Sequence, residues 1–253
     1  MLADEIYTEV LAIAAEHRVA DIRVGLGYTA VALEDGRCGL AYTLHEKEYE
    51  SCTVIAEAGT LVGRKASELI SWMKQSDVTA GAIGLATANA LIDIPHGAAE
   101  SDILDLLPVG SEDAVGMIGY FVPLVGPIRK RARILHIFER KPIPDLGVLP
   151  DSAAGDLLPE CQVVVLSATT LLNQTIDGLL AYCKAAREIA ILGPSTPFLS
   201  DPLRKRGVTI LSGVQVVDTL QVLRVVSEAG GTRKFGSAVR KLTLRVSNLA
   251  RSD

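Results

Sequence analysis

The chain reads as an α/β protein, with a Rossmann-like parallel sheet in its second half and a smaller α+β unit in its first. Three observations predict this. From Ala114 onward short apolar runs alternate with helical patterns, as in strands joined by crossover helices. Two of those runs, Val163-Val164-Val165-Leu166 and Ile189-Ala190-Ile191-Leu192, are apolar at every position, as strands covered on both faces should be. Before residue 93 the order is helix, hairpin, helix, helix, which suits a small separate layer.

Taken in order, apolar positions at Ile6, Val10, Leu11, Ile13 and Ala14 mark an amphipathic helix over residues 2–17. Alternating stretches at 22–34 and 38–44 flank Glu34-Asp35-Gly36-Arg37, a hairpin turn because Asp-Gly tolerates positive φ. Helical patterns follow at 63–75 and 78–92. The second is built from small residues (Ala80, Gly81, Ala82, Gly84, Ala86, Ala88, Ala90), which permit close backbone approach. Residues 93–113 hold Pro95, Gly97, Pro108 and Gly110 and a helical piece at 103–107, and they read as a linker. The expected domains are 1–108 and 109–253. In the second, strands are expected at 114–120, 133–138, 162–167, 188–192 and 208–211, and helices at 125–131, 170–185, 201–205 and 217–228.

Bulk properties exclude several classes. Of 253 residues, 49% are hydrophobic and 22% charged, a globular composition. A net charge of −5 and only 4% aromatics argue against a nucleic-acid binder, which needs clustered cations or stacking rings. Two basic stretches, Arg129-Lys130-Arg131 with Arg133 and the tail from Arg233 to Arg251, read as solvated helix faces. Cys38, Cys52, Cys161 and Cys183 are far apart without a C-x-x-C pair, neither a disulfide framework nor a zinc ribbon. Met1-Leu2-Ala3-Asp4-Glu5 has no basic n-region, and no apolar run reaches the ~18 residues that span a bilayer. The expected address is the cytoplasm.

In open parallel sheets ligands bind beyond the carboxyl ends of the strands, so function is expected there. The first strand runs into Gly119, Tyr120 and Phe121 without the G-x-G-x-x-G fingerprint. Glu139 ends the next strand twenty positions after Gly119, where dinucleotide-binding folds put the acid for a ribose diol. It reads equally as a surface acid beside Arg140 or Lys141, and it is the candidate general base. Ser167, Thr169 and Thr170 precede a helical pattern, where a cap and free N–H groups welcome an oxyanion; Asn173 adds an amide. Plain capping explains the same residues. Gly193, Pro194 and Ser195, followed by Thr196, form a rigid turn that either serves the backbone alone or faces a ligand. Asn89, in a small-residue helix, either braces a contact between domains or reaches a ligand, and Tyr28 and Thr29 share that ambiguity. His17, His45, His96 and His136 are scattered without H-E-x-x-H spacing, so no metal ligand is assigned, and His136 reads as a core residue. Neither a G-x-S-x-G elbow nor a P-loop lysine is present.

At these residues the chain resembles the heavy-metal chelation family, a family of unknown function. The matching pieces are Val115-Gly116-Met117-Ile118-Gly119-Tyr120-Phe121, Phe138-Glu139, Ser167-Ala168-Thr169-Thr170-Leu171-Leu172-Asn173-Gln174-Thr175-Ile176-Asp177 and Gly193-Pro194-Ser195, with Thr87-Ala88-Asn89-Ala90 in the first half. The resemblance implies an enolase N-terminal-like first domain, a Rossmann-like second domain, and a site between them that handles or makes a metal chelator, such as a pterin-like molecule. Soft metals want thiolates, and no cysteine cluster exists here, so metal is expected to arrive within a ligand.

Three functions follow. The leading one is a small polar or anionic metabolite, a metal chelate included, bound between the domains with or without catalysis. The others are a non-catalytic metal-chelate carrier and a nicotinamide- or adenosylmethionine-dependent enzyme. No cofactor is assigned, and neither nucleic acid nor a membrane is an expected partner. The oligomeric state is left open, a homo-oligomer included.

Overall fold

In the first helix, α1 (Leu2–Ala14), Leu2, Ile6, Val10 and Ala14 recur at a spacing of four and are all buried. The computed structural model describes residues 1–45 and 53–246; Cys52 and the last part of the basic tail, with Arg251, lie outside the described residues. Strands β1 (Val19–Val24), β2 (Tyr28–Leu33) and β3 (Cys38–Tyr42) form an antiparallel sheet in that order. The stretch expected as one unit over 22–34 is two strands, because Gly25-Leu26-Gly27 turns the chain against the Val226 carbonyl, where a Cβ on Gly25 would collide. The hairpin turn at 34–37 forms as expected, with Gly36 at φ +90° and the Leu33 N–H donating to the Arg37 carbonyl at 2.8 Å.

Helix α2 (Ala66–Ile70) tightens into a 3-10 turn over Ser71–Lys74 and leads to α3 (Val78–Leu91). Asp77 caps α3, its carboxylate accepting the Thr79 and Ala80 N–H groups at 2.9 and 2.8 Å, an arrangement worth ~1 kcal/mol. Helix α3 is buried all round, and its small residues are the reason it can be. Gly39 of β3 lies directly against the backbone of Ala86 and Ala90, and Gly84 against that of Trp72 and Met73.

After α4 (Ile103–Leu106) the chain enters a seven-stranded sheet of β4 (Ala114–Ile118), β5 (Ile134–Glu139), β6 (Val148–Pro150), β7 (Val163–Ser167), β8 (Glu188–Leu192), β9 (Ile210–Val216) and β10 (Val239–Arg245). Their spatial order is β10-β9-β8-β7-β4-β5-β6, parallel throughout except for β10 against β9. Counted from β6, the six parallel strands stand in the doubly wound order 3-2-1-4-5-6, whose direction reverses between β4 and β7. The apolar runs cover both faces. Val163 and Val165 join Leu124, Val125 and Ile128 of α5 (Val122–Arg131), while Val164 and Leu166 join the core that contains α1, α3, α6 (Ala154–Leu157) and α7 (Ile176–Tyr182). That second core is continuous from the small sheet to the large one.

Two further contacts lock the halves together. Beyond α8 (Ser200–Arg204), α9 (Thr219–Ser227) packs Val222, Leu223, Val225 and Val226 over Ala30, Ala32 and Leu40 of the small sheet, next to Phe235 of α10 (Thr232–Phe235). At the start of α1, the Leu2 N–H donates to both carboxylate oxygens of Asp177 at 3.2 and 3.0 Å. Arg206 reaches Glu5 at 2.7 Å and Asp177 at 3.2 Å.

Three expectations are corrected. The helix expected over 170–185 is broken, because Gln174 takes φ +57° and Asn173 Oδ1 accepts the Thr175 N–H and hydroxyl at 3.3 and 2.8 Å, starting a new helix. The basic tail is a helix face only at Arg233 and Lys234 of α10. Its residues Val239–Arg245 form the antiparallel edge strand β10, with Leu242, Thr243 and Leu244 buried and Arg240, Lys241 and Arg245 exposed. That pairing also carries β9 on to Val216, past the expected end at 211. Among the described residues no helix is long and apolar enough to cross a membrane.

Candidate functional site

The carboxyl ends of β4, β5, β7 and β8 empty into a cavity of about 760 Å³, closed from the small sheet by Tyr28, Tyr42 and Leu44. It lies where the strand order reverses, the usual ligand position in doubly wound sheets. Gly119 makes the first wall possible. It sits at φ +97°, its N–H donates to the Phe138 carbonyl at 2.9 Å, and a Cβ would lie 3.1 Å from that of Ser167. The turn this allows aims the Tyr120 N–H at Glu139 Oε1, 2.6 Å away. The acid expected to hold a ribose diol thus already accepts a hydrogen bond from the turn.

The β7 wall is similarly self-bound. Ser167 Oγ accepts the Thr169 N–H at 3.3 Å and lies 2.8 Å from Thr169 Oγ1, while the Thr170 hydroxyl donates to the Ser167 carbonyl at 2.6 Å. The expected helix N-terminus is only a 3-10 turn, Ala168–Leu171, so the dipole argument for an anion there loses its basis. Asn173 borders the cavity while its Oδ1 accepts the Thr175 N–H and hydroxyl. At β8, Gly193 takes φ +128° and its N–H donates to the Ser212 carbonyl at 3.0 Å. Ser195 Oγ accepts the Tyr42 N–H at 2.8 Å, tying the turn to β3.

Gly119, Tyr120, Phe121, Glu139, Ser167, Thr169, Thr170, Asn173, Gly193, Pro194 and Ser195 therefore line one cavity. Asn89 does not join them. Its Nδ2 donates to the Leu40 and Ser195 carbonyls at 2.9 and 3.2 Å, bracing α3 against β3 and the β8 turn, and it borders a separate cavity of about 110 Å³. The structure adds Tyr42, Asp151, Ser152, Gly178 and Tyr182, which carry no local motif, and Gln174 and Thr175 from the 167–177 piece. A signal for the tyrosines was available in the rarity of aromatics along the chain.

Charge in the described lining is limited to Glu139, Asp151 and Arg140; the remaining polar groups are hydroxyls and amides. Burial pushes the Tyr28 hydroxyl up to about 12, against a hydrogen bond with Thr232 that lowers it. Burial likewise raises the thiols of Cys38 and Cys183 to about 12 and that of Cys161 to about 11, so all three stay protonated at neutral pH. His136 is half-buried, and that burial, with Arg133, pushes its imidazole below the usual range. Among the described residues no three His, Cys, Asp or Glu side chains gather to hold a metal ion.

Comparison with known proteins matches this architecture. Two family models, both described as "Putative heavy-metal chelation", match residues 7–92 (DUF4213) and 102–245 (DUF364). An uncharacterized protein of Methanocaldococcus jannaschii is 27% identical over 97% of this chain and 98% of its own length. A crystal structure of a DUF364-family protein of unknown function from Desulfitobacterium hafniense superposes with a TM-score of 0.80 at 26% identity, covering 96% of this chain and 98% of that one. Another from Pyrococcus horikoshii gives 0.85 at 25% identity, covering 97% and 100%. With the larger model alone spanning more than half of the sequence, this chain belongs to the family described as putative heavy-metal chelation.

Proposed function

We propose that the chain binds a small polar organic molecule in the cavity between its two sheets, and that metal reaches it as part of that molecule. The observation that carries this reading is the convergence of four strand-end turns and the small sheet on a single cavity of about 760 Å³ at the switch point of the large sheet. Its polar lining is mostly neutral and suits hydrogen bonding to a metabolite such as a chelator or its precursor.

Direct metal ligation does not fit the described residues. Soft metals are held by thiolates, whereas Cys38, Cys161 and Cys183 are kept as thiols by burial and do not cluster with other donors. A standard dinucleotide is also disfavoured. The Tyr120 N–H, at the turn that faces a pyrophosphate in such folds, is already taken by Glu139. Glu139 in this reading shapes the first turn and presents its remaining oxygen to the ligand.

Native mass spectrometry with elemental analysis of gently purified protein tests the proposal. The expected result is one organic molecule per chain, with any metal in fixed ratio to it, and loss of both in Thr169→Val and Asn173→Ala. A molecule retained by both variants, or metal bound stoichiometrically without an organic partner, would refute the reading.

A further inference from the structure

A strand that ends a sheet presents unpaired N–H and C=O groups, and folded chains cover or blunt such edges. Three of the four terminal strands here are covered. Thr243 of β10 exchanges N–H and carbonyl with Ala99 at 2.9 and 3.0 Å. The Val148 N–H of β6 donates to the Ile143 carbonyl at 3.1 Å, and that strand stops at Pro150. On β3, the Tyr42 N–H donates to Ser195 Oγ and the Leu40 carbonyl accepts from Asn89. Strand β1 is covered only at its start, where Val19 exchanges hydrogen bonds with Gly63 and Arg64 at 2.8 and 3.0 Å. Past the register shift at Ala20 its outer edge is open. The Gly25 N–H donates to the Tyr28 carbonyl, so by alternation Arg23 and Asp21 also turn their backbone groups towards β2. Ile22 and Val24 turn theirs outward, where no hydrogen bond from another described residue reaches them.

We infer that a second copy of the chain adds its own β1 to this edge, antiparallel about a two-fold axis at Ile22, so that the two small sheets join into one. This surface is independent of what the cavity binds. The charges of the edge select a second copy as the partner. Pairing about Ile22 sets Asp21 of each copy opposite Arg23 of the other, at non-hydrogen-bonded positions where side chains lie closest. Within one copy these two residues already meet, Arg23 Nε and Nη2 lying 2.8 and 2.7 Å from the Asp21 carboxylate. The joint therefore carries a row of charges that alternate in sign. The two neighbouring registers, centred on Asp21 or on Arg23, set like charges directly opposite and are disfavoured. The length of the open edge also matches. In the Ile22-centred register Gly25 falls opposite Val19, so the added strand turns away through Gly25-Leu26-Gly27 where Gly63 and Arg64 already hold the edge. Leu26, 70% exposed, then falls opposite Arg18 of the other copy, whose guanidinium donates to the Gly63 carbonyl next to Val62, 63% exposed. Two of the most exposed large apolar side chains in the described chain thus come to the same end of the joint.

Sedimentation velocity of the full chain, from about 1 µM to about 1 mM, reads the association directly. A reversible monomer–dimer equilibrium is expected. Asp21→Arg and Arg23→Asp should each weaken the dimer at least about tenfold, because each opposes like charges on both sides of Ile22. Both side chains reach solvent, so the variants are expected to fold, and circular dichroism checks that they do. Mixing the two single variants makes every opposed pair opposite in sign, so a mixed dimer should form where neither variant dimerises alone. The double variant Asp21→Arg with Arg23→Asp restores opposite charges within and between copies, and its dimer should match that of the unaltered chain. Recovery of this kind does not follow from damage to the fold. An unaltered chain that stays monomeric throughout leaves the edge to a strand of another protein or to none, and overturns the inference. So does a dimer indifferent to both single changes, or a failure to dimerise by both the mixture and the double variant.

Discussion

Gly178 offers a way to separate the stability of the fold from occupancy of the cavity. It is the third residue of α7, it lines the cavity, and a Cβ added there meets nothing within 4 Å. Replacing it by leucine removes the entropic penalty of a helical glycine. On measured propensities the gain is about 0.7 kcal/mol, with no clash to set against it. For a chain of this size that corresponds to a rise of roughly 2 °C in Tm. Gly178 borders the cavity, so if the proposed ligand enters past α7 the new side chain obstructs it and affinity should fall at least about tenfold, or ~1.4 kcal/mol. Thermal unfolding and calorimetry on one preparation read both quantities. The expected signature is a more stable protein that binds worse, which damage to the fold does not produce. A variant that melts several degrees lower shows that Gly178 is not an unstrained helical position beside open space. A more stable variant with unchanged binding shows that the ligand does not enter past α7.

Two further outcomes test the framework around the site. Gly39→Ala should cost about 3 kcal/mol, because the new methyl collides with the backbone of α3 at Ala86 and Ala90, which no rotamer change relieves; urea unfolding checks it, and a cost under about 0.5 kcal/mol contradicts the packing of α3. Asp113, 7% exposed, accepts two hydrogen bonds from Arg187 at 2.7 and 2.6 Å and one from the Gly110 N–H, also at 2.6 Å. The hydrogen bond from Arg187, more than that from Gly110, holds its carboxyl below the usual range. A group depressed in the folded state contributes stability above its unfolded pKa, about 3.9, and loses it as pH falls through the folded value. Asp113→Asn should therefore cost about 1–3 kcal/mol at neutral pH and soften the acid-side decline in urea stability, and an identical decline in the variant argues against the pair.

What was legible in the sequence follows the range of the forces involved. Strands β4, β7 and β8 announce themselves because a strand covered on both faces must be apolar at nearly every position. The hairpin at Asp35-Gly36 is visible because the turn's dihedrals restrict its residues. Strand β10 was not legible. Val239–Arg245 carries three basic side chains, and its strand character comes from pairing with β9, which no local pattern encodes. The break after Leu172 has a local cause: the Asn173 amide oxygen accepts the N–H and hydroxyl of Thr175, the residue before α7, and Gln174 between them takes positive φ. In the site, the strand-end turns were found because the topology rule says where to look, whereas Tyr42 and Tyr182 are brought to the cavity by tertiary packing from elements on either side of it.

Glu139 shows why a doubly wound order is not by itself a cofactor assignment. Its position after Gly119 matches the acid of dinucleotide sites, and the fold places it at the end of β5 as that comparison requires. The function of such an acid, however, depends on a glycine-rich first turn whose N–H groups are left for phosphate. Here that turn reads Gly119-Tyr120-Phe121, with two bulky rings following the one glycine, and the carboxylate reaches across to the Tyr120 N–H at 2.6 Å. The acid thus fills from within the slot that an external anion would need. Tyr120 and Phe121, which stand where such a cradle has its further glycines, also border the cavity. On the proposed site, a ligand that lacks a pyrophosphate is therefore the one this first turn suits.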